Sequence, residues 1–78
     1  MKAKIIELKF NKKFRDYILY VDERVEYLGD LDEITATLLN KGADQKELVR
    51  VFKFMASNKH TKAIFAMDNG KVKYLSSK

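Results

Sequence analysis

Cysteine and proline are absent from this chain of 78 residues, and His60 is its only histidine. Without cysteine no disulfide can reinforce the fold, and one histidine cannot build a Cys/His metal site. The lack of cysteine fits a reducing, intracellular setting. Long apolar runs are missing too. Lys2, Lys4, Glu7 and Lys9 interrupt the opening MKAKIIELKF, so it forms no signal-peptide core. No stretch approaches the ~20 apolar residues of a membrane span. The composition predicts a soluble, cytoplasmic protein. It contains no linker, repeat or low-complexity segment, so residues 1–78 read as a single domain. A domain this small buries only ~60% of the surface its unfolded chain exposes, which makes its core marginal.

Catalytic signatures are lacking as well. The chain holds no phosphate-cradling glycine loop, no G-x-S-x-G and no H-E-x-x-H. His60 follows a helix end and reads as a solvated residue favourable to the helix dipole. The acidic run Asp30-Leu31-Asp32-Glu33 lacks the alternation and central glycine of a calcium loop. Helix capping and solvated turns explain it better. The expectation is a protein without enzymatic activity, cofactor or metal.

What the chain does have is charge, net +5, in segregated blocks. Residues 2–15 carry six basic groups and one acid, and residues 16–33 carry seven acids and one base, Arg24. Residues 50–78 carry seven bases against Asp68 alone. A segregated basic surface attracts polyanions. Solvated faces of a lysine-rich chain are the competing account.

Residues 3–10 alternate, with Ile6, Leu8 and Phe10 on one face and Ile5, Glu7 and Lys9 on the other, which is the pattern of a half-buried strand. Asn11-Lys12-Lys13 reads as a hairpin loop and FRDYILYV (14–21) as a second strand. Asp22-Glu23-Arg24 reads as a turn and VEYL (25–28) as a third strand. Gly29-Asp30 then changes the period. Asp30 with Glu33, and Asp44 with Glu47, are two capping pairs. They predict one helix from Asp30 to near Lys41 and a second from Asp44 to about Ser57, separated by Gly42 as a left-handed cap. The second helix buries Leu48, Val51, Phe52 and Met55. Its outer face is Lys46, Arg50, Lys53 and Ser57. TKAIFAM (61–67) and KVKYL (71–75) flank Asp68-Asn69-Gly70, the strongest hairpin signal in the chain. The predicted fold class is α+β, an antiparallel sheet in the order β-β-β-α-α-β-β packed by two helices.

The second strand is apolar on both faces, where a sheet covered on one side should show one polar face. Either helices cover both sides, or Tyr17, Leu19 and Val21 meet another chain. A two-fold homodimer is the commonest such arrangement.

The stretch LLNKGADQKELVRVFKFM (38–55) resembles a helix-turn-helix in part. Gly42 sits at the turn, followed by Ala43, the capping Asp44, and Leu48 and Val51 on the inner side of the second helix. The hairpin ending in DNGKVKYL is similar to the wing of winged-helix proteins. The resemblance implies that the second helix enters the major groove and presents Lys46, Arg50 and Lys53 to nucleic acid. Leu38 departs from the pattern, because a small residue usually stands there, and so do the strands that open the chain. A looser reading needs only cations on one surface, with Lys59, Lys62, Lys71 and Lys73 added to those three. Tyr17, Tyr20, Tyr27 and Tyr74 would stack on unpaired bases if exposed, and pack in the core or its rim otherwise.

The function expected is a small nucleic-acid-binding module for RNA or DNA. The alternative is a protein-binding inhibitor or adaptor, of the kind phages and mobile elements direct against host factors. In that case the acidic stretch 16–33 or the apolar strand face docks the partner.

Overall fold

The alternation along residues 4–10 becomes the central strand of a five-stranded sheet. The computed structural model describes residues 3–78. Lys2, counted in the basic N-terminal segment, lies outside them. The elements are β1 (Lys4–Asn11), β2 (Asp16–Val21), β3 (Arg24–Gly29), α1 (Leu31–Asn40), α2 (Gln45–Ser57), β4 (Lys62–Asp68) and β5 (Lys71–Ser77). The order across the sheet is β3-β2-β1-β4-β5, with every neighbouring pair antiparallel. This is the α+β class and the element order read from the sequence. No helix among the described residues is long and apolar enough to cross a membrane.

Two tight turns and one longer loop join the strands that follow one another directly in the chain. Asp22 and Glu23, at φ 49° and 70°, join β2 to β3, and Asn69 and Gly70, at φ 52° and 74°, join β4 to β5. Positive φ at both central residues is the hairpin geometry whose twist matches the flanking strands. The β1–β2 connection is longer than the sequence pattern implies. Phe14 and Arg15 belong to it, with Arg15 at φ 54°, and the ladder resumes only where Asp16 pairs with Asn11. Asn11 Oδ1 accepts from the Lys13 amide at 3.0 Å, a side-chain turn that opens this loop.

Both helices lie on one side of the sheet, α1 over β2 and β3 and α2 over β5. Their N-termini are capped as the sequence predicts. Asp30 Oδ1 accepts from the Glu33 amide and Asp44 Oδ2 from the Glu47 amide, each at 2.9 Å. The core lies between the layers. Ile6 and Leu8 of β1, Leu19 of β2, Ala63 and Phe65 of β4 and Val72 of β5 meet Ile34, Leu38, Leu48, Val51 and Met55 from the helices.

This arrangement corrects the interface assigned to the second strand. Leu19 is fully buried in the core, and Tyr17 and Val21 pack against it. The cause is register. Leu19 stands opposite Leu8 and Val21 opposite Ile6, so all three residues point toward the helices. The uncovered side of β2 is Ile18 and Tyr20. The β4–β5 hairpin also differs from a wing. β4 pairs with the central strand β1, so the hairpin is built into the sheet beneath α2.

The turn between the helices is tied to this hairpin. The Val72 amide donates to the Gly42 carbonyl at 3.1 Å. Gly42 has φ +110°, and a Cβ there would lie 1.8 Å from the Gly70 carbonyl oxygen. Gly70, at φ +74°, has open space around the corresponding position. Gly42→Ala is therefore expected to cost about 3 kcal/mol or more, backbone strain and collision together. Gly70→Ala should cost only the strain, about 1 kcal/mol. Urea denaturation of the two variants checks this, and equal losses would contradict the close approach at Gly42.

Candidate nucleic-acid interface

Helical spacing gives α2 two different sides. Leu48, Val51 and Met55 are buried, whereas Lys46, Arg50 and Lys53 stand exposed at i, i+4 and i+7. At 1.5 Å rise per residue they span about 10 Å along the axis. Lys59 follows in the turn after the helix, exposed and at φ 55°. Among the described residues the ion pairs are Lys41–Glu26 and Lys62–Glu7, so none of these four cations is neutralised by a neighbour.

The acid that would compensate them is occupied elsewhere. Glu47 is the one acid within α2. It turns toward β5, where its Oε1 accepts from the Tyr74 amide at 3.1 Å. The first helix repeats the device. Glu33 Oε2 accepts from the Tyr27 hydroxyl of β3 at 2.6 Å. Each capping pair thus splits its work. The aspartate satisfies the helix N-terminus, and the glutamate pins that helix end to an edge strand.

Phe54 lies among the cations and is 50% exposed. Its ring meets that of His60 edge-on, with centroids 5.4 Å apart. A shallow groove between α2 and β5 is lined by Glu47, Arg50, Val51, Phe54 and Tyr74. Sequence periodicity did not single out Phe54. The signal was available, since it lies four positions after the outward-facing Arg50. His60 is not the solvated residue expected at a helix end. Its Nδ1 is 2.8 Å from the Ser77 hydroxyl, which also accepts from the Tyr74 hydroxyl at 2.8 Å. These bonds fasten the end of β5 to the end of α2.

The seven cations assigned to the site divide into two groups. Lys46, Arg50 and Lys53 share the outer face of α2, with Lys59 at its end. Lys62, Lys71 and Lys73 lie on the far side of the sheet, in register with Lys9, Asp68 and Ala66 respectively. Lys62 is also paired with Glu7 at 3.4 Å. α2 lies beside β5, so both groups occupy the same end of the molecule, but on opposite layers.

Three of the four tyrosines are turned to the helix side. Tyr17 and Tyr27 pack against the core, and Tyr74 rests edge-on against Phe65 with centroids 5.8 Å apart. Only Tyr20 lies on the uncovered face, so the four form no stacking platform. Burial raises the Tyr17 phenol above its ordinary value of 10.0. Tyr27 is raised as well, first by its hydrogen bond to Glu33, then by desolvation and by the charges of Glu33 and Asp30.

A phenol whose pKa is raised by folding stabilises the fold below the unfolded value and loses that contribution as pH rises through the folded one. The stability gap between the wild type and Tyr27→Phe should therefore be constant near neutrality and shrink above about pH 10. Urea midpoints measured across that range check it. A gap unchanged through the alkaline range would show that the bond to Glu33 is not the source.

No protein-family model, no curated protein and no solved structure matches this chain.

Proposed function

We propose that the protein binds nucleic acid through the outer face of α2, with Lys46, Arg50, Lys53 and Lys59 contacting phosphates and Phe54 meeting a base. The observation that carries this reading is an exposed helix face with three cations, none of them ion-paired among the described residues, beside a half-exposed aromatic ring. Phosphate contacts require cations on one surface and no particular fold. An aromatic ring among them favours single strands, whose unstacked bases offer a π-face. Lys62, Lys71 and Lys73 belong to a different surface and are not part of this site.

Four cations neutralising about four phosphates imply a slope near −3 for log affinity against log salt on single strands. A fourfold rise in salt should then weaken binding by roughly 50-fold. Arg50→Glu with Lys53→Glu is expected to abolish binding without unfolding the chain, because both side chains are exposed and unpaired. Lys71→Glu with Lys73→Glu should leave it within about twofold once corrected for net charge. Fluorescence anisotropy with random single-stranded RNA and with duplex DNA reads all of these. Affinity surviving the Arg50/Lys53 change would place the site elsewhere.

A further inference from the structure

The helices leave one whole face of the sheet uncovered, and that face is rich in apolar side chains. Ile5 is 46% exposed, Val25 58%, Leu28 59% and Leu75 55%. Ile18, Tyr20, Ile64 and Ala66 lie between them by register. Five strands at ~4.8 Å and seven residues at ~3.3 Å give a footprint of roughly 550 Å². A standard interface takes ~800 Å² per partner, so this flat footprint alone supplies more than half of one.

The edges of the sheet are guarded, which directs association to this face. A bulge interrupts β3 at Glu26 and another interrupts β5 at Leu75. Lys41 reaches across to Glu26, while Gly42 and Glu47 take the Val72 and Tyr74 amides. Bulges, charges and covered amides are the devices that prevent strand addition.

The open face is also charged in a complementary way. β1 is its midline, with two strands on each side. On the β2–β3 side a shallow groove is lined by Ile5, Glu7, Tyr20, Asp22 and Glu23. On the β4–β5 side another groove includes Ala66, Lys71, Lys73 and Leu75, with Asp68 opposite Lys71, so Lys73 is its uncompensated cation. The acidic and basic rims stand level. Asp22 exchanges hydrogen bonds with Ile5, its Oδ1 and its amide each 2.9 Å from their partners. Lys73 reaches that same Ile5 level through Ala66.

We infer that two copies of this chain pack face to face through this open sheet, about a two-fold axis running along β1. That rotation carries β3 over the partner's β5 and β2 over its β4. Glu23 then meets the partner's Lys73, Tyr20 meets the partner's Ile64, and Ile5 meets its own copy at the axis. An axis across the strands would instead set acid on acid and lysine on lysine. The sheet-to-sheet angle of about −30° in aligned packings is compatible with this pairing. Glu7 and Lys9 of β1 also meet their own copies along this axis, and Glu7 arrives already paired with Lys62 at 3.4 Å, so the complementarity lies in the rims and not on the midline. The result is four layers with both helical layers outermost, so the α2 faces remain accessible on opposite sides. The dimer does not depend on what α2 binds.

Sedimentation equilibrium on the full chain tests this. The wild type should be dimeric well below about 0.5 mM. Glu23→Lys and Lys73→Glu, both exposed positions, should each weaken the dimer at least about tenfold with unchanged circular dichroism. Each homodimer places like charges together at two junctions. An equimolar mixture repairs both, so it should recover dimer as a heterodimer with near wild-type affinity. Tyr20→Asp should be monomeric and is not repaired by either variant. A wild type monomeric at about 0.5 mM overturns the inference and leaves the face to a different protein. A mixture that stays monomeric overturns the axis, and with it the pairing proposed here.

Discussion

A β-strand delivers its side chains alternately to two faces, and only one face of this sheet has helices to receive them. At the centre, β1 gives Ile6 and Leu8 to the helical layer and Ile5, Glu7 and Lys9 to the other side. Everything else in the structure follows that division. The core is a single layer of side chains between the helices and the sheet, as expected for a chain this short. The opposite layer of Ile, Val, Leu and Tyr side chains contributes nothing to that core. It is apolar surface beyond what folding uses.

The two helices are held by a repeated economy of acids. Asp30 and Asp44 satisfy helix N-termini. Glu33 and Glu47 then reach past the caps to Tyr27 and Tyr74 on the two edge strands. The helix pair is thereby anchored at both margins of the sheet, and its turn is anchored again where Gly42 meets the β4–β5 hairpin. This arrangement has an electrostatic consequence. With Glu47 drawn to β5, Lys46, Arg50 and Lys53 on the outside of α2 form no ion pair among the described residues. Across the sheet, β3 and β5 hold part of the acidic block and part of the second basic block at opposite edges, while the first basic block follows central β1 and its loop.

Much of the fold was legible in the sequence, and for identifiable reasons. Alternation at Ile6, Leu8 and Phe10 marked β1. The Asp-x-x-Glu pairs marked both helix starts, and Asp68-Asn69-Gly70 marked the last hairpin. The positive φ of Arg15 was not legible. Arg15 carries no side-chain preference for positive φ, so β2 read two residues too long. The sidedness of β2 was also hidden, because its two faces are almost equally apolar. Only pairing with Leu8 decides that Leu19, and not Ile18, enters the core. A single-residue slip exchanges the two faces, so alternation alone sets Tyr17, Leu19 and Val21 against another chain as readily as against the helices. The basic helix face was legible from its spacing. Its separation from Lys62, Lys71 and Lys73 was not, because strand alternation alone does not say which face the helices cover.

Sidedness is the central claim, and chemical-shift mapping tests it most directly. An isotope-labelled sample titrated with a random single-stranded RNA should shift the amides of residues 46–59 on α2 and its following turn. Ile18, Ile64, Lys71 and Lys73 on the open face should stay unmoved at constant protein concentration. Shifts gathered on the open face, with α2 unaffected, would contradict the account and make the sheet the nucleic-acid surface.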